Sequence, residues 1–104
     1  MKYYTHNSKQ DINPMGTHFI SDFDITYNEL VDILGEPTLG DDYKCDAEWY
    51  IEFEDGVIIT IYNYKNGKNY LGEEGLFKEN ITDWHIGGSK ESDKEYLKYI
   101  FKNM

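Results

Sequence analysis

Asp55-Gly56 stands between two strongly β-prone runs, Ala47-Glu48-Trp49-Tyr50-Ile51-Glu52-Phe53 and Val57-Ile58-Ile59-Thr60-Ile61-Tyr62. Such a turn commits the middle of the chain to a β-hairpin. Read as a two-residue type I′ loop, it sets Glu54 opposite Val57 and Phe53 opposite Ile58. One face of the hairpin then carries Ala47, Trp49, Ile51, Phe53, Ile58, Thr60, Tyr62 and Tyr64, the expected core. The other carries Glu48, Tyr50, Glu52 and Glu54 beside Val57, Ile59, Ile61 and Asn63, half acidic and half apolar. The Val57/Ile59/Ile61 row needs a cover. The candidates are the N-terminal segment, a C-terminal helix, a homodimer contact or a partner.

Around the hairpin the punctuation is clear. Residues 1–15 lack periodicity and read as a flexible N-terminal arm, leaving 16–104 as a single domain. Residues 17–23 alternate weakly, as a strand does. Thr26-Tyr27-Asn28-Glu29 is a capping box that opens a short helix with Leu30, Ile33 and Leu34 on one stripe, closed by Gly35 and Pro37. The stretch 64–75 holds Gly67, Gly72 and Gly75 and reads as a long irregular loop. Residues 81–86 form a further strand closed by Gly87-Gly88. Ser92-Asp93-Lys94-Glu95 is a second capping box, starting a helix with Tyr96, Tyr99 and Ile100 on one face. The expected fold class is α+β in the order β-α-β-β-β-α, a small antiparallel sheet with helices packed on it.

Charge narrows the function. The 104 residues carry 20 acids against 10 basic residues, all of them lysine, for a net −10. Residues 22–55 hold twelve of the acids and only Lys44, a local balance of −11. A chain with no arginine and no basic face is a poor direct binder of nucleic acid. An acidic face of Asp41, Asp42, Tyr43, Glu48, Tyr50, Glu52, Glu54 and Asp55 is instead suited to a basic partner. The single cysteine, Cys45, excludes an internal disulfide. No apolar run approaches the ~18 residues of a membrane span, and the first residues do not resemble a signal peptide. The expected location is the cytoplasm.

Chemistry-bearing motifs are scarce. His6, His18 and His85 are scattered at no metal-ligand spacing, and Asp41, Asp42 and Asp46 lack the pattern of a calcium loop, so neither metal nor cofactor is expected. Cys45 with His18 or His85 is a weak nucleophile pairing. No nucleophile elbow or phosphate loop occurs. The chain therefore reads as a binder, not an enzyme. A second candidate site joins His18, Lys65, Lys68, Trp84, His85, Gly87 and Gly88, which would form a small-anion or nucleotide pocket if the fold brings them together.

The chain resembles a family of small acidic proteins encoded by tailed bacteriophages. The likeness is carried by Gly16-Thr17-His18-Phe19, Leu30-Val31, Gly35-Glu36-Pro37-Thr38, Ala47-Glu48-Trp49 and Asp55-Gly56. It continues through Thr60-Ile61-Tyr62-Asn63-Tyr64-Lys65, Gly67-Lys68 and Ile81-Thr82-Asp83-Trp84-His85-Ile86-Gly87-Gly88. The resemblance implies a phage protein acting in the bacterial cytoplasm against host defence. On that expectation the acidic face occludes a basic, nucleic-acid-binding defence protein, as several anti-CRISPR proteins do. The alternatives are an oligomeric sponge for a nucleotide immune signal, using the His/Lys/Gly pocket, and a phage assembly accessory.

Overall fold

Gly56 adopts φ +93°, a left-handed conformation that glycine enters without steric cost. Phe53 N–H donates to Val57 O at 2.9 Å and Gly56 N–H donates back to Phe53 O at 2.9 Å. In this computed structural model, which describes residues 1–9, 11–39 and 44–101, the hairpin loop is therefore Glu54-Asp55-Gly56. It is a three-residue loop closed by a glycine bulge. The Asp55-Gly56 hairpin is present, but its register is one residue away from the two-residue expectation. Trp49 pairs with Ile61, Ile51 with Ile59 and Glu48 with Tyr62.

A one-residue slip turns a whole strand over. Val57, Ile59 and Ile61 thus lie on the same face as Trp49, Ile51 and Phe53, and Ile59 and Ile61 are fully buried. The apolar row needs no dimer or partner to cover it. Ile58, Thr60 and Tyr62 move to the other face, beside Glu48, Tyr50 and Glu52.

The sheet is antiparallel throughout. Its strands are β1 (Tyr3–Thr5), β2 (His18–Asp24), β3 (Thr38–Leu39), β4 (Ala47–Phe53), β5 (Ile58–Tyr62) and β6 (Asp83–Gly88). The order is β1-β4-β5-β6-β2, with β3 sharing the β1 edge of β4. The fold is α+β, as expected, with two short strands added to the expected order. Residues 3–5 of the expected arm pair with β4, and His6 and Asn7 side chains bond to the Glu36 carbonyl at 2.9 Å each. Gly87 and Gly88 are strand residues, and β6 runs from Asp83 to Gly88 instead of stopping at Ile86.

The capping box forms as read. Thr26 Oγ1 accepts from Glu29 N–H, Glu29 reaches back, and helix α1 (Tyr27–Leu34) ends at Gly35 with φ +87°. Tyr27, Leu30 and Leu34 are buried against the inner sheet face. Trp49 and Trp84 meet edge-to-face there at 5.3 Å. The loop 64–75 contains a short helix, α2 (Lys68–Leu71), followed by a 3-10 turn (Gly72–Glu74).

The last element differs from expectation. Glu91–Tyr99 is a 3-10 helix, and the Ser92/Glu95 box does not cap it. Asp93 is instead buried and accepts from Ser89 Oγ at 2.9 Å. Leu97 and Phe101 face the core, while Tyr99 is exposed. Tyr96 packs on Phe53 at 5.0 Å and its hydroxyl donates to Asp55 Oδ2 at 2.6 Å, tying this helix to the hairpin loop.

That bond pushes the Tyr96 phenol up to about 12 and holds the Asp55 carboxyl below its usual range. A raised phenol stabilises the fold fully below ~10 and loses that contribution as pH rises through about 12. The depressed carboxyl contributes above ~3.9 and loses its contribution as pH falls through its folded value. In a carbon-13 tyrosine NMR titration the Tyr96 resonance should turn over near 12. Tyr96→Phe should raise the Asp55 carboxyl, because the largest cause of its depression is removed. A Tyr96 midpoint near ~10 would show that the bond does not persist in solution.

Candidate functional site

The inner sheet face is closed by core, so the outer face is where chemistry can sit. Strand alternation and the observed register lay two rows across it. One runs Glu48–Tyr62–His85–Asp22 over β4, β5, β6 and β2, with a carboxylate at each end and rings between. The other runs Tyr50–Thr60–Gly87–Phe19, aromatic at its ends and small in the middle. The small middle makes a cup of about 370 Å³, walled by Tyr50, Tyr62, Tyr64, His18 and Glu48. Gly87 keeps it open: a Cβ there would lie 2.3 Å from Thr60 Oγ1 and 3.4 Å from Tyr62 Cε1.

Glu48 is fixed within this wall, its Oε2 accepting from the Tyr50 hydroxyl at 2.7 Å. Burial pushes the Tyr62 phenol up, with Cys45, Tyr64 and Glu48 adding to the effect. Cys45 is buried at the edge of the same cup. A neighbouring cleft of about 380 Å³ is lined by Phe19, Tyr62, Tyr64 and His85. The His85 ring lies 4.6 Å from Phe19, 5.6 Å from Tyr62 and 5.6 Å from Tyr64, nearly parallel to the last. Its Nε2 is 3.6 Å from Asp22 Oδ1. Asp22, Asp83 and His85 bring one donor atom each within 4.8 Å of one another. Sequence spacing did not show this group, because Asp22 arrives from the neighbouring strand.

The residues of the expected acidic face are divided. Glu48 and Tyr50 wall the cup. Glu52 shares their face but is ion-paired with Lys9. Glu54 is exposed in the hairpin loop, and Asp55 there is engaged by Tyr96. Asp41, Asp42 and Tyr43 lie outside the described residues. The carboxylates added by the fold are Asp22, Asp24 and Asp83, at the β2–β6 end of the same face.

The expected pocket is divided as well. His18 and Gly87 line the cup, and His85 lines the cleft beside it. Lys65, at φ +62°, sits 5.2 Å over the Tyr64 ring and 5.4 Å over Tyr70, outside both linings. Lys68 Nζ donates to the Glu73 carbonyl at 2.9 Å and lies over Phe77, in a separate depression beside Asp46 and Lys78. Trp84 and Gly88 are on the buried inner face. Tyr62, Tyr64 and Thr60 were missed from the sequence as site residues, because the two-residue register sent them to the core.

No family model, curated protein or solved structure matches the chain. Among the described residues no helix is long and apolar enough to cross a membrane.

Proposed function

We propose that the chain is a non-catalytic, phage-encoded inhibitor of a bacterial defence system. It docks the carboxylate- and tyrosine-bearing outer face of its sheet on a basic, nucleic-acid-binding host protein, in the manner of an anti-CRISPR protein. The observation that carries this reading is the Glu48–Tyr62–His85–Asp22 row, beside a cup and cleft whose described lining residues include no lysine. Four lysines elsewhere, Lys9, Lys78, Lys94 and Lys98, are held by neighbouring glutamates. The net −10 would speed encounter with a basic surface, and the tyrosines would supply contact area once docked. The resemblance to small phage proteins supplies the biological setting.

Nucleotide capture is the weaker reading on this geometry. It needs Lys65 and Lys68 converging on the histidines, and Lys68 is instead turned to Glu73 and Phe77.

The test is the double variant Asp22→Lys/Glu48→Lys in cells carrying a nuclease-based defence. Both positions are at least partly exposed, so the fold should survive, which circular dichroism checks. Wild type should protect infecting phage and form a one-to-one complex with the nuclease. That complex should weaken by roughly tenfold or more between ~0.05 and ~0.3 M salt. The variant should lose protection and complex together. Full protection by the folded variant would overturn the reading.

A further inference from the structure

We propose that the cup between Glu48, Tyr50, Tyr62 and Tyr64 is a guanidinium site that receives an arginine side chain of the partner. The inference rests on the docking reading only in assigning that arginine to a partner protein.

The lining itself specifies the ligand. Among the described residues lining the cup, Glu48 is the one carboxylate and none is a lysine. Its Oε2 is occupied by the Tyr50 hydroxyl. Its Oε1 has no donor among the described residues, leaving an acceptor on an orientation already fixed. Tyrosine faces attract cations through the ring quadrupole. The protein already uses this interaction at Tyr64, where Lys44 and Lys65 Nζ lie 5.9 and 5.2 Å from the ring centre. Those lysines stay outside the cup. The chain has no arginine of its own to fill it.

Shape and donor count favour guanidinium over ammonium. A guanidinium is flat, weakly hydrated and carries five N–H donors, whereas an ammonium is compact and carries three. Beside Glu48 Oε1, the cup offers Thr60 Oγ1 and the Tyr62 and Tyr64 hydroxyls as acceptors. Gly87 gives it a floor with no side chain. A volume of about 370 Å³ accommodates one side chain. An anionic ligand would instead face Glu48 with no lysine among the described lining residues to offset it.

The experiment uses the full chain alone. N-acetyl-arginine amide, N-acetyl-lysine amide and guanosine monophosphate are each titrated and followed by tyrosine-ring NMR shifts. The arginine probe should saturate with a Kd of ~1 mM, as one charge-assisted contact allows. The lysine probe should bind at least ~3-fold more weakly. Glu48→Gln keeps an acceptor for Tyr50 and should weaken the arginine probe about tenfold. Lys65→Gln should leave it unchanged or tighter, because a neighbouring positive charge is removed. The proposal is overturned if the arginine probe fails to saturate by ~50 mM or binds Glu48→Gln equally well. Equal affinity for the lysine probe, or saturation by the nucleotide alone, overturns it too. Failure of the probe alongside a salt-sensitive nuclease complex removes the cup assignment and leaves docking standing. Glu48-dependent probe binding with no nuclease complex removes docking and leaves the cup.

Discussion

Trp49→Ala should cost about 3–5 kcal/mol, a large part of the ~5–15 kcal/mol that holds a domain of this size together. Trp49 is fully buried, with its ring 5.3 Å from Trp84 and 5.9 Å from Tyr27. Its indole N–H also donates to the Gly35 carbonyl at 2.8 Å, joining β4 to the end of α1. Truncation opens a cavity, removes both ring contacts and strips that carbonyl of its partner. Urea unfolding should show a lower midpoint with an unchanged slope. A loss below ~1.5 kcal/mol would mean that the aromatic cluster collapses around the gap, and that the clasp on α1 lies elsewhere. Trp49→Phe keeps a ring but not the N–H and should fall between wild type and alanine.

The second large effect is expected at Asn63, a polar side chain with no exposed surface. Its Oδ1 accepts from the N–H groups of Asp46 at 2.7 Å and Ala47 at 3.1 Å. Its Nδ2 donates to Asp46 Oδ1 at 3.0 Å and to Asn66 Oδ1 at 3.1 Å. One amide thus ties the entry of β4 to the chain leaving β5, and Gly67 lies against the pair because a Cβ there would meet Asp46 Oδ1. Asn63→Leu has similar bulk but leaves two backbone donors unpaired, at ~1–3 kcal/mol each. The expected loss is about 3 kcal/mol, lowering Tm by roughly 10–20 °C. The segment holding Tyr64 should loosen too, so arginine-probe binding should fall even below the melting transition. Scanning calorimetry with the probe titration at ~15 °C separates the two effects. A Tm drop under ~4 °C would show that water replaces the amide at little cost.

Local chemistry announced the elements it controls. Thr26 with Glu29 specified the start of α1, and Gly35 its end, because caps involve only residues within one turn. Asp55-Gly56 specified a hairpin because few other structures want that dipeptide between β-prone runs. Loop length was not legible. Asp-Gly serves two-residue and three-residue loops alike, and the difference lies in how Phe53 and Val57 pair. That one residue decided the site. With Glu54 opposite Val57, Glu48 and Tyr62 fall on opposite faces; with Phe53 opposite Val57, they are direct cross-strand neighbours. The expected His/Lys/Gly pocket failed in a more readable way. Adjacent residues on a strand face opposite sides, so Trp84 and His85 cannot share a pocket wall, nor can Gly87 and Gly88.

The residues in order dictate an acidic, arginine-free α+β chain with a capped helix, a central hairpin and enough apolar side chains for one core. Those follow from composition, periodicity and contacts a few residues apart. Which face of each strand is buried emerges only in the folded sheet, since burial depends on a register set across it. The fold alone brought Asp22 to His85, Glu48 to Tyr62 and Asn63 to Asp46. Such pairs are joined through hydrogen-bonded strands and loops distant in sequence, and no local preference encodes them.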